Sequence, residues 1–484
     1  MAGLLAGTTV KSNLIRNALG AGCSKVSIAL IRLVQVPILL SALGVEEFGR
    51  WMVLASIPMW LSVASLGFGS VAANEMSMAV AAGDLERACS VFSTTLALVA
   101  GITVLGSVLV AGGAFFIPWE KFLGVPAGRH GELTAGVVLL AVSVLLSFSG
   151  DAFNGRFRAA RKAHQAMFLA SFRPWLELLA MVAVLHFTTR FDFLALGLLA
   201  ATVAFLVFSQ WSSRRAMPEL AFSFRQIQVL RFRELFRKGI AFQSFSLGNA
   251  VLSQGSVLII QYLLGPAAVA LFSTARTLVR SIIQLLDLFN AVIWPELSHL
   301  IGAGELPRAA RVHRAAVALS FTAACVSVAG LAAGGQTLYS WWTAKTMQLP
   351  LHLLLLFLLP IPFSAISWAS SAVHVACNRH EGLAVRYLVG TCLAFVLCAG
   401  LSSWLGLEGA ALSTLAVDLV LIPYVLRRSL ELTGDSWAGF ATGLVQEVRA
   451  ASRHLGSALE SCGLKTSETT RDVADDVRAR QKLR

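Results

Sequence analysis

Residues 83–116 read GDLERACSVFSTTLALVAGITVLGSVLVAGGAFF. Beyond Arg87 no residue is charged as far as Phe116, which is more chain than the roughly 20 apolar residues that carry a helix across a bilayer. The polar head of the same stretch recurs. Gly83-Asp84-Leu85-Glu86-Arg87-Ala88 reappears as Gly304-Glu305-Leu306-Pro307-Arg308-Ala309, at an offset of 221 residues. At this offset Leu43-Gly44 meets Leu264-Gly265, Glu75-Met76-Ser77 meets Glu296-Leu297-Ser298, and Arg16 meets Arg237. Near the end of each half, Arg214-Arg215 is matched by Arg427-Arg428. The chain therefore reads as a series of membrane helices made in two copies.

Composition agrees. Of 484 residues 56% are hydrophobic and 13% charged, against about 45–50% and about 25% in soluble domains. The apolar runs are continuous, unlike the alternating strands of a barrel, and only helices and closed barrels satisfy their backbone in lipid. Spans are expected at 17–42, 49–74, 91–116, 133–153, 168–188, 192–212, 240–264, 269–294, 313–334, 350–373, 384–405 and 408–427. No cleavable signal is expected, since residues 1–16 lack a basic start and a short apolar core.

The net charge of +13 sits in the loops. Arg87, then Arg156, Arg158, Arg161 and Lys162, then Arg214 to Lys238, then Arg308, Arg311 and Arg314 lie on one side. The opposite loops hold Arg50, Lys121, Arg129, Arg190 and Lys345. This is the positive-inside pattern and puts both termini in the cytoplasm; no nucleic-acid partner is implied. The fold class is thus an all-α integral membrane protein of about twelve transmembrane helices. Its two six-helix bundles, residues 1–213 and 214–430, form a parallel repeat, and the substrate path of such repeats lies between the halves. After Arg428, Trp437, Phe440, Leu444, Val448, Ala451, Leu455 and Leu459 recur at helical steps. Residues 431–484 therefore read as a cytoplasmic tail, an amphipathic helix on the membrane interface followed by a disordered end.

Polar groups inside spans mark pathways or paired structural sites. Helix one carries Lys25, Arg32 and Gln35 on one face. Helix seven carries Gln243, Ser246, Asn249, Ser253 and Ser256 as a stripe, and the 221-residue offset lays Lys25 on Ser246, Arg32 on Ser253 and Gln35 on Ser256. Helix eight adds Arg276 and Arg280, with Gln284 and Asp287 on the same side. A cavity holding Lys25, Arg32, Gln35, Asn249, Ser253, Arg276 and Arg280 would attract an anion, and Arg suits bidentate phosphate recognition. Glu75, Asp287 and Asp418 are candidates for a coupling ion, against structural pairing of the kind expected for Arg173 with Glu177. His186, His352 and His374 form no pattern. The seven cysteines show no CxxC pair, so neither a disulfide framework nor a metal site is expected. No P-loop, HExxH, G-x-S-x-G or carboxylate pair is present, and no enzyme activity or cofactor is implied.

The sequence resembles the O-antigen and polysaccharide flippases of the multidrug/oligosaccharidyl-lipid/polysaccharide (MOP) exporter superfamily. The resemblance is carried by Val36-Pro37, Leu43-Gly44-Val45-Glu46-Glu47-Phe48-Gly49-Arg50-Trp51, Leu66-Gly67-Phe68-Gly69, Asn74-Glu75-Met76-Ser77, Gly83-Asp84 and Leu407-Glu408-Gly409-Ala410-Ala411. Ser65 departs from the acid that relatives often carry there. The resemblance implies translocation of an undecaprenyl-pyrophosphate-linked oligosaccharide, an O-antigen or exopolysaccharide repeat unit, across the bacterial inner membrane by alternating access. It implies as partners membrane lipid, a polysaccharide polymerase and a chain-length regulator. Competing readings are a drug or metabolite exporter of the superfamily, whose cavity should be acidic, and a membrane glycosyltransferase or polymerase, which needs a large loop. A structural scaffold, the third, leaves the polar stripes unexplained.

Overall fold

The computed structural model describes residues 2–65, 68–228, 243–377, 379, 381–444 and 446–447. Some side chains within these helices, Lys25 and Arg32 among them, lie outside the description. The described chain is helical. In order the helices are α1 (Ala2–Met59), α2 (Phe68–Ala81), α3 (Leu85–Phe116), α4 (Trp119–Leu123), α5 (His130–Ser147), α6 (Ser149–Ala159), α7 (Ala163–Ala170), α8 (Arg173–Leu185) and α9 (Phe191–Ala216). There follow α10 (Gln243–Ala250), a π turn (Val251–Gly255), α11 (Ser256–Leu264), α12 (Pro266–Gly302), α13 (Leu306–Trp342), α14 (Leu351–Leu358), α15 (Ile361–Ala376), α16 (Glu381–Leu405), α17 (Leu407–Ser413) and α18 (Leu415–Thr433). A further helix, α19, covers 437–444.

Nine helical segments among the described residues are long and apolar enough to cross a membrane: α3, α5–α6, α7–α8, α9, Phe245–Leu264, α13, α14–α15, α16 and α17–α18. The other three expected spans fall on α1, on α1 to α2, and on α12, which carries Arg276, Arg280 and Asp287. Several spans are broken where the sequence withholds a backbone donor. Pro174 opens α8, and Pro360 and Pro362 flank the break between α14 and α15; proline lacks the N–H that a continuous helix needs. Many faces are apolar outward. Val104, Leu105, Val108 and Leu109 on α3 are each about two-thirds exposed, a row that hydrocarbon solvates and water does not.

The backbone carries the 221-residue repeat. Gly44 (φ 76°, ψ 171°) breaks α1, and Gly265 (φ 83°, ψ −179°) separates α11 from α12. Gly83 and Gly304 have φ of 76° and 75°. After Gly83, Asp84 N donates to Ala79 O (2.9 Å) and Ala88 N to Asp84 O (3.1 Å); after Gly304, Glu305 N donates to Leu300 O (2.9 Å) and Ala309 N to Glu305 O (3.0 Å). These are equivalent atoms at one offset, and the left-handed dihedral is what glycine supplies at a helix C-terminus.

By internal contacts the chain forms two compact units: Met1–Leu288 with Val328–Ile361 and Glu381–Leu421, and Phe289–Ser327 with Pro362–His380 and Ile422–Arg484. In the first, Val71, Met76, Phe92, Phe153, Phe157 and Leu206 share a core. In the second, Ala316, Val317, Ala369, Leu430 and Phe440 do. Phe440 and Leu444 of the expected amphipathic tail are thus packed on the protein, while Trp437 is exposed. Val448, Ala451, Leu455 and Leu459 and the expected disordered end lie outside the described residues.

Candidate functional site: a polar face on α10 to α12

The polar stripe of the seventh span sits on a rod interrupted by the π turn at Val251–Gly255. Such a turn removes carbonyls from their regular partners. Arg276 of α12 meets this need: its Nη1 donates to Ser253 O (2.8 Å) and Ser256 Oγ (3.1 Å). Its guanidinium lies 5.1 Å from the Phe272 ring centroid. The structure therefore brings Ser253, Ser256 and Arg276 together. The Ser253 hydroxyl turns inward and donates to Asn249 O. Ser246 and Asn249 are exposed, and so is Arg280, one turn beyond Arg276. Tyr387 of α16 lies within electrostatic reach of Arg280 and Asp418. Its ring packs so closely on α10 that a Cβ on Gly248 would come within 2.8 Å of it.

Helix one is placed differently. Gln35 is half-buried, and its Nε2 donates to Met181 Sδ of α8 (3.2 Å). Ser27 Oγ donates to Ser171 O (3.1 Å) and accepts from Trp175 Nε1 (2.8 Å). This stretch of α1 is hydrogen-bonded to α8 and its approach. The Lys25 and Arg32 side chains lie outside the described residues.

The acids divide into two kinds. Glu75, Asp287 and Asp418 are each engaged by another group, and Asp418 is buried. The Arg173–Glu177 pair forms at 2.8 Å. Asp151, which sequence reasoning passed over, is exposed on α6 and pressed against the backbone of Gly69, whose Cβ would fall 2.1 Å from that of Asp151. Asn154 and Arg158 follow it at steps of three and four. That spacing makes a polar stripe, and this was the available signal. Among the described residues no group of three or more His, Cys, Asp or Glu side chains could hold a metal ion.

At the end of the rods where Gly44 lies, charge is paired. Glu47 bridges Arg50 (2.7 Å) and Arg129 (3.1 Å), and Arg129 also meets Glu132 (2.9 Å). The hydrogen bond to Glu132, with the charges of both glutamates, holds the Arg129 pKa above its ordinary value. Glu132 further accepts Phe191 N (2.9 Å). This network walls a cavity of about 360 Å³ together with Ala42, Leu43, Thr189 and Arg190.

Comparison with known proteins fits this arrangement. A sequence model described as "Polysaccharide biosynthesis protein" matches residues 14–301. The "Uncharacterized membrane protein EpsK" of Bacillus subtilis (strain 168) is 23% identical over 235 residues, 48% of this chain; the match spans 46%, about half, of EpsK. Among solved structures, an inward-facing multidrug resistance MATE family transporter of the MOP superfamily aligns with TM-score 0.72 and 14% identity, covering 87% of this chain and all of that one. A MOP superfamily transporter from Pyrococcus furiosus, described as having a binding pocket of reverse polarity, aligns with TM-score 0.61 and 14% identity, covering 87% and 96%. The chain therefore belongs to the polysaccharide biosynthesis protein family, as a multi-pass membrane protein built on the MOP-superfamily transporter fold.

Proposed function

We propose that this protein flips an undecaprenyl-pyrophosphate-linked oligosaccharide from the cytoplasmic to the periplasmic leaflet of the bacterial inner membrane. Residues 1–213 and 214–430 would rock about the substrate, with both termini cytoplasmic. One observation carries the reading: on α12 an exposed Arg280 stands one turn from an Arg276 already fixed over the π turn. A guanidinium held in place loses little entropy on meeting a diphosphate, and its planar fork matches phosphate oxygens. The exposed Ser246 and Asn249 offer hydroxyl and amide groups to sugar. Lys25, Arg32 and Gln35 complete the cavity from helix one by the repeat, with Ser253 as backbone support for Arg276. Glu75, Asp287 and Asp418 stand as coupling-ion candidates, joined by Asp151. The flipped unit would pass to a polymerase and its chain-length regulator.

Reconstitution into proteoliposomes with a lipid-linked oligosaccharide tests this. Arg280→Ala should lower translocation roughly tenfold, the worth of one charge-assisted contact, while Arg280→Lys retains part of it. Unchanged translocation in Arg280→Ala would remove the cationic face from the mechanism.

A further inference from the structure

Among the contacts that join residues before 213 to residues after it, three each have a particular physical reason to form. The first is a close approach. Gly49, on the first turns after the Gly44 break, rests on the carbonyl of Pro266; a Cβ at position 49 would lie 1.9 Å from that oxygen and 2.6 Å from its carbon. Pro266 follows Gly265, so the Leu-Gly turn of one repeat is seated just beyond the Leu-Gly turn of the other. The second is a hydrogen bond between Gln261 Nε2 and Phe122 O (3.1 Å). Gln261 is 5% exposed, and its Oε1 is buried with no partner. The third uses a gap in the helix. Leu33 O should accept an N–H from residue 37, but that residue is Pro37 and has none. The indole Nε1 of Trp342 donates to Leu33 O instead, at 2.5 Å.

We propose that these contacts are the seal that closes the translocation path on its periplasmic side and must part for the glycan to leave; this rests on the flippase reading and its orientation. The set is close-packed, and its polar members bias it in opposite directions. Gly49 brings backbone to backbone with no side chain to interdigitate, so separation uncovers little apolar surface. Gln261 is only half satisfied while closed, so opening to water relieves its orphaned oxygen. Trp342 supplies the opposing bias: when it leaves, Leu33 O loses its donor. A seam balanced in this way opens and recloses. A permanent weld would leave no acceptor unmet.

The test uses the full-length chain with its seven cysteines replaced and Asn249→Cys introduced as a reporter on the polar face. A membrane-impermeant maleimide is applied to intact cells from the periplasmic side. With the seal intact, labelling is slow. Trp342→Phe, which keeps the packing and removes the donor, should speed labelling roughly five- to tenfold, the effect of one unmet buried acceptor. Gly49→Val should speed it more, because its side chain cannot coexist with the Pro266 carbonyl. Gln261→Met should slow labelling, since it keeps volume and removes the half-satisfied amide. If Trp342→Phe and Gln261→Met both label at the parent rate, the seal is overturned, whether or not Gly49→Val reaches the membrane. Failure of the flippase reading is separate: wild-type proteoliposomes would translocate no lipid-linked glycan while the labelling rates still changed as stated.

Discussion

The two halves of the chain close one end in the same way and plug it with different chemistry. After α9, residues 217–228 fold back along α3: Ser223 N donates to Ser93 Oγ (3.0 Å), Ser90 Oγ to Gln226 O (2.9 Å) and Cys89 Sγ to Glu219 O (3.2 Å). After α18 the chain folds back along α13: Arg314 Nη1 donates to Gly439 O (2.8 Å), and Phe440 stacks on His313 at 5.5 Å. The 221-residue offset lays Phe92 on His313 and Ser93 on Arg314. In the first half the enclosed polar group is Arg156, 1% exposed. It sits 3.9 Å over the Phe92 ring and donates to Gln210 Oε1 (3.0 Å) and Leu220 O (2.5 Å). In the second half two imidazoles are enclosed. His313 Nε2 lies 3.0 Å from Ser370 Oγ, and Ser429 Oγ donates to Ser370 O (2.9 Å) beside His374. Duplication has kept the path of the backbone and let the buried donors diverge.

The comparison can be broken from either side. The largest effect is expected in the first half. Arg156→Ala leaves Leu220 O and Gln210 without their donor and opens a void, so about 4 kcal/mol of stability should be lost. A thermal unfolding curve in detergent that superimposes on wild type would refute the role given to Arg156. In the second half Phe440 is stacked on the enclosed His313, and Phe440→Ala should cost about 3 kcal/mol. Most of this falls on the docking of α19, so limited proteolysis should cut the tail at least tenfold faster; an unchanged rate counts against docking. Ser429→Ala removes one neutral hydrogen bond and should cost about 1 kcal/mol. The smallest effect has the opposite sign. Lys345 holds φ 61° where its repeat partner Gly124 holds φ 64°. Lys345→Gly should therefore gain about 0.5–1 kcal/mol, read as a higher midpoint. A lower midpoint would mean that the lysine side chain earns its place.

Much of the fold was legible because repetition and hydropathy are properties of the chain itself. The Leu-Gly turns and the Gly83 and Gly304 helix ends could be paired by offset, and their dihedrals agree. The contact of Arg276 with Ser253 and Ser256 joins residues that stand in polar stripes readable at steps of three and four. Arg156 was not. It counts as one more loop charge on the positive side, and only the return of residues 217–228 over α3 encloses it. His374 looked solitary for the same reason, since Ser429 and Tyr424 reach it from α18, about 50 residues later in the chain. Gln35 could be placed by helical phase on a polar face of helix one, but the Met181 sulfur that its amide meets, 146 residues away in sequence, could not be read. Phase gives direction around a helix and says nothing of what stands opposite.

Pro37 carries a consequence for how the protein is made. A helix that leaves the ribosome early must enter the bilayer with its backbone satisfied or find a partner there. The first helix enters with one acceptor unanswered, at Leu33. The donor that answers it, Trp342, lies 309 residues later in the chain. This helix is thus completed only after another 309 residues have been made, which makes this single indole a marker of assembly that a chain stalled before it would lack.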